Sequence, residues 1–134
     1  MWNAFALTFV VILLCLTASD VSAQAEKRIK FRRGAVSAVA TGKLSSYDDK
    51  KTFVIKVNAG QTLSAEQIRG ANSNRYITIL ITGPNGEPVG DSDASCNNRR
   101  EITPTVAGDY RIEVVECQKA DPWRGNFKFR VTVR

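Results

Sequence analysis

Residues 106–117 read VAGDYRIEVVEC, and the pattern in this stretch decides the fold class. Apolar side chains at Tyr110, Ile112 and Val114 alternate with polar ones at Arg111 and Glu113. A period of two belongs to a strand with one face on a core and the other in water. Glu116 is read with the polar series, and Ala107-Gly108-Asp109 as the turn that introduces the strand.

The same alternation recurs on both sides. NFKFRVTVR (126–134) turns Phe127, Phe129, Val131 and Val133 to one face, TFVIKV (52–57) does so with Phe53, Ile55 and Val57, and RIKFRR (28–33) sets Ile29 and Phe31 against Arg28, Lys30 and Arg32. VSAVATGKL (36–44) and REITP (100–104) are further strands, while QTLSAEQI (61–68) reads either as a strand or as a short helical turn. RYITILIT (75–82) is apolar on both faces from Ile77 to Ile81, which predicts a strand in the centre of a sheet. It runs into Gly83-Pro84-Asn85-Gly86, a hairpin signal, and returns through residues 87–93. Eight or nine short strands with turns between them and no helical period imply an all-β fold, a two-sheet β-sandwich of jelly-roll type, with a barrel as the alternative.

Residues 1–23 read as a secretory signal peptide. The apolar run from Phe5 to Leu16 is too short to span a bilayer, and small-residue cleavage sites follow at Ala23 and Ala25; a short uncleaved anchor is the alternative. Residues 24–134 are then one domain, and a periplasmic or secreted location follows. The signal segment contains one acid, Asp20, and no base, so its removal raises the net charge from +6 to +7. In an exported chain this favours acidic partners and anionic surfaces over nucleic acid. Cys96 and Cys117 remain, and in an oxidising compartment they read as one disulfide, worth roughly 3 kcal/mol for a loop of this length; two separately buried thiols are the alternative.

The chain contains no histidine, which removes Ser-His-Asp and Cys-His catalysis and imidazole metal sites. Asp48-Asp49 flanks a turn and cannot by itself face a second carboxyl across a cleft as glycosidase chemistry requires. GDSDAS (90–95) is half of a calcium loop, with Asp91 and Asp93, or a plain polar loop. The chain is read as a non-enzyme with no cofactor and no metal site.

Two sets of motifs carry a resemblance. TFVIKVNAGQTLSAEQI, ITILITGPNGEPVGDSD and ITPTVAGDYRIEV resemble the bacterial pre-peptidase C-terminal (PPC) domain, a jelly-roll sandwich. IKFRRGAVSAVATGKLSSYDDKKTFVIKVNAGQ (29–61) is similar to the start of the periplasmic inhibitors of g-type lysozyme and their relatives against i-type lysozyme, through Phe31, Gly34, Gly42, Leu44, Tyr47, Asp48, Ala59, Gly60 and Gln61. The resemblance implies a lysozyme inhibitor whose loops at one end of the sandwich enter the enzyme's cleft. Its "SG-x-Y" turn falls on Ala107, Gly108, Asp109 and Tyr110, with Ala in place of Ser. Its arginine-bearing loop falls on residues 118–126, with Lys119, Trp123 and Arg124. Tyr47, Tyr110 and Trp123 would be aromatic anchors, and Lys119 and Arg124 would pair with a carboxylate in the cleft. Each also has a structural reading: Tyr110 as a corner residue bonded to backbone, Gly108 as a positive-φ turn residue, Trp123 as a cover for the sandwich end, Arg124 as a solvated charge. The basic face Arg28, Lys30 and Arg32 reads as edge-strand protection or as a contact for acidic polysaccharide or lipid headgroups. A stand-alone PPC-like module that binds envelope glycan or another protein is the alternative function.

Overall fold

The computed structural model describes residues 24–70, 75–90, 96–117 and 124–134. The signal-peptide segment, Asp91, Asp93, Lys119 and Trp123 lie outside the described residues. The strands are β1 (Lys27–Arg28), β2 (Ser37–Leu44), β3 (Lys50–Val57), β4 (Leu63–Gln67), β5 (Ile77–Thr82), β6 (Arg99–Ile102), β7 (Gly108–Glu116) and β8 (Gly125–Val133). They form two four-stranded sheets, in the orders β1-β3-β7-β5 and β2-β8-β4-β6. From β2 onward, odd strands lie in one sheet and even strands in the other, so the chain crosses between sheets at every connection. This alternation is that of a jelly-roll sandwich, and two separate sheets exclude the barrel.

The alternating residues define the core. Tyr110, Ile112 and Val114 of β7, Phe53, Ile55 and Val57 of β3, and Phe127, Phe129, Val131 and Val133 of β8 are all buried in it. Phe53 meets Phe129 and Phe127 edge-on, with ring centroids 5.0 and 6.2 Å away, and the latter two stack at 6.3 Å. The Phe127 ring lies over Gly42, its register partner on β2; a Cβ at residue 42 would fall 2.4 Å from the ring's Cζ.

Of the two readings of QTLSAEQI the strand is the one formed: residues 63–67 pair with both neighbours, β6 and β8. Three places differ from the sequence reading. RIKFRR is a strand only at its start: Ile29 still donates its N–H to Val54, but a turn in which Ala35 donates to the Arg32 carbonyl takes the chain across to β2. β5 lies at the edge of its sheet rather than in the centre. Its apolar pattern has a physical cause all the same, since the returning chain covers that edge: Val89 N–H bonds to the Ile81 carbonyl and Ile79 N–H to that of Asn97. Glu116, read as solvent-facing, has the same parity as Tyr110 and is 1% exposed.

Candidate functional site

The turn that opens β7 lies at one end of the sandwich and is held by the fold itself. Tyr110 is 2% exposed, and its hydroxyl accepts the Val106 N–H at 3.0 Å. This is the corner geometry of its structural reading: the ring is spent on the core and the hydroxyl on the corner. Gly108 has φ +141°, and a Cβ there would lie 2.7 Å from Pro84, so glycine is required on both counts. The Asp109 carboxylate receives both terminal nitrogens of Arg28, at 3.0 and 2.7 Å. That hydrogen bond and charge lower the Asp109 pKa and raise that of Arg28. Beside them Arg111 donates to Glu26 at 2.6 Å. These pairs latch the N-terminal segment over β3 onto β7, with the Arg28 and Asp109 side chains still half-exposed. Ala107 and, at 60% exposure, Val106 are the residues this corner presents to solvent.

The opposite end is built differently. The loop joining β2 to β3 is closed by Asp49, whose carboxylate accepts the Ser45 N–H and Oγ at 2.8 Å and bonds to Lys51 Nζ and Gln24 Nε2 at 2.9 Å. Burial pushes the pKa of this carboxyl up, but the bonds from Lys51, Ser45 and Gln24 prevail and hold it well below the ordinary carboxylate range. Asp49 is therefore structural, while Asp48 is exposed and Tyr47, at the loop's tip, is 40% exposed. Leu44 pairs with Gly125, so the Tyr47 loop and the segment carrying Arg124 leave the sheet side by side. Arg75 donates to the Arg124 carbonyl at 3.3 Å, and the Cys96–Cys117 disulfide closes the same end where β7 finishes.

The two motif sites thus do not share an end. β7 separates Gly108 from Glu116 by eight residue steps, about 26 Å at the rise of a strand. Tyr47, Asp48 and Arg124 lie at one end, flanking the Leu44–Gly125 pair, and Ala107, Gly108 and Asp109 lie at the far end. The described residues of the two motifs therefore lie at opposite ends of β7.

Next to Arg124 the structure opens a cavity of about 680 Å³. Lys43, Arg69, Arg75 and Lys128 line it, and no acidic residue does among those described. Arg69 is fixed in place, with Nη1 2.7 Å from the Tyr76 hydroxyl and the guanidinium 4.5 Å above the Tyr76 ring. Gln67 ties the wall together, donating to the Arg75 carbonyl and accepting the Ile77 N–H. The sequence reading missed this cluster: its members come from β2, β8 and the segment after β4, and their spacing along the chain carries no period. No group of three or more acidic, cysteine or histidine side chains suited to a metal ion occurs among the described residues.

No family model matches the chain, and no curated protein does. Solved structures do. The periplasmic inhibitor of g-type lysozyme from Aeromonas hydrophila superposes with a TM-score of 0.62 at 19% identity, covering 81% of this chain and 96% of that one. Its counterpart from Salmonella Typhimurium gives 0.56 at 18% identity, and a mutant of the Escherichia coli protein 0.55 at 15%, each covering 81% of this chain and 97% of the other. At these identities the likeness is one of fold.

Proposed function

We propose that this chain is an exported, non-catalytic inhibitor of a g-type or i-type lysozyme, and that it docks through the end bearing Tyr47 and Arg124. The observation that supports the reading is the Leu44–Gly125 register, with an exposed tyrosine on a clamped loop and an exposed arginine at the same end of a fold shared with lysozyme inhibitors along nearly their whole length. A lysozyme cleft holds an acidic catalytic group. A cationic end with one rigid aromatic anchor complements it in charge and supplies the kind of side chain that dominates interface energetics. The signal segment and the disulfide accord with a periplasmic or secreted location.

The test is peptidoglycan lysis by g-type, i-type and c-type lysozymes, each titrated with the protein. Saturating inhibition of one class near equimolar protein is expected, weakened at least tenfold by Tyr47→Ala and by Arg124→Ala with the melting temperature unchanged. Folded protein that spares all three enzymes overturns the reading, and inhibition unaffected by either change moves the docking surface elsewhere.

A further inference from the structure

The basic cleft beside Arg124 has a neighbour. A second cavity, of about 440 Å³, lies on the other side of β2, toward β1 and β3, and both share Thr41, Gly42 and Lys43 as a common wall. Lys27 and Lys51 join Lys43 around the second cavity, and no acidic residue lines it among those described. Lys51 is neutralised by Asp49 at 2.9 Å; Lys27, Lys43 and Lys128 take part in no ion pair among the described residues. The two openings together present cations on both flanks of one strand, with Thr41 and the backbone of Gly42 between them and the Asn126 amide on the wall of the first.

We infer that these adjoining clefts bind a short anionic oligosaccharide, one whose sugars carry carboxylate or phosphate groups, at a site additional to the lysozyme-docking end. A lone anion needs one cavity and one charge cluster, whereas two cavities in series with cations on each side fit a chain with repeated charge. Neutral hydroxyl and amide groups between the cations match the hydroxyls of a sugar. Single-stranded nucleic acid is recognised by stacking on open aromatic faces, and here Phe127 and Phe53 are buried while Arg69 covers Tyr76.

The experiment is calorimetric titration of the full chain with tetragalacturonate, with the neutral chitotetraose and with a four-nucleotide oligothymidylate, at low and physiological salt. Tetragalacturonate is expected to bind at least tenfold more tightly than either alternative, and more weakly as salt rises. The double change Lys43→Gln/Lys128→Gln should weaken it at least tenfold without altering the melting temperature, while Arg32→Gln, at the far end, should leave it unchanged. Equal binding of chitotetraose, tighter binding of the oligonucleotide, an Arg32→Gln loss as large as that of the double change, or no binding of tetragalacturonate overturns the inference. None of these results depends on lysozyme inhibition, so the two readings stand or fall separately.

Discussion

Substituting Gly42 by alanine tests the packing that links the core to the cleft. The backbone at residue 42 is ordinary strand, opposite Phe127, so alanine meets no φ penalty there. Its Cβ would nevertheless lie 2.4 Å from Cζ and 2.8 Å from Cε1 of Phe127, well inside contact distance. The ring has little room to retreat, because Phe53 meets it edge-on and Phe129 stacks on it. Overpacking of this kind costs about 1–3 kcal/mol, and the entropy alanine removes from the unfolded chain returns about 0.4–1 kcal/mol, leaving a net loss centred on about 1.3 kcal/mol. With a urea m-value of about 1–3 kcal/mol/M, the unfolding midpoint should fall by about 1 M with m unchanged. Phe127→Leu shortens the side chain that a methyl group on residue 42 would strike. In that background the same glycine change should be neutral or slightly stabilising, so the double-mutant cycle returns a coupling of about 1–2 kcal/mol. A Gly42→Ala midpoint equal to wild type, or the same loss in both backgrounds, would refute the argument that the ring sets the cost.

Three further outcomes are expected. Tyr110→Phe removes the acceptor of the Val106 N–H at a partly buried corner and should cost about 1–2 kcal/mol, read in the same urea titration; no change would mean that water replaces the hydroxyl. Acid should destabilise the fold through Asp49 and Asp109: both folded pKa values lie below the ordinary 3.8, so their stabilisation is complete above about pH 4 and is lost as pH falls through the folded values. Asp49→Asn should flatten that acid limb, and an acid profile identical to wild type would remove Asp49 from the account. Replacing Cys96 and Cys117 together with alanine should lower stability by about 2–4 kcal/mol, as reduction of the native protein should; a melting temperature indifferent to reductant would contradict a stabilising bridge.

The inward faces of the strands were legible in the chain alone. Ile55, Ile112, Phe129 and Val131 could be assigned to a core because a strand repeats every two residues and water penalises apolar surface, both of which are local facts. The corner at Gly108 and Tyr110 was legible for the same reason, since the hydroxyl bonds to a backbone group only four residues away. The edge position of β5 was not, because two-sided burial arises whether a neighbouring strand or a returning loop supplies the cover. Glu116 escaped because its own charge hid a parity that only continuous pairing with Ile77 enforces. Tertiary structure alone decided which loops share an end: the Tyr47 loop leaves the sheet beside the segment carrying Arg124 because Leu44 pairs with Gly125 across some 80 residues of chain, while the turn nearer in sequence lies a full strand away. The cleft cations belong to the same class, gathered from three elements by sheet order, and long-range pairing of that kind leaves no periodic trace in the chain that folds into it.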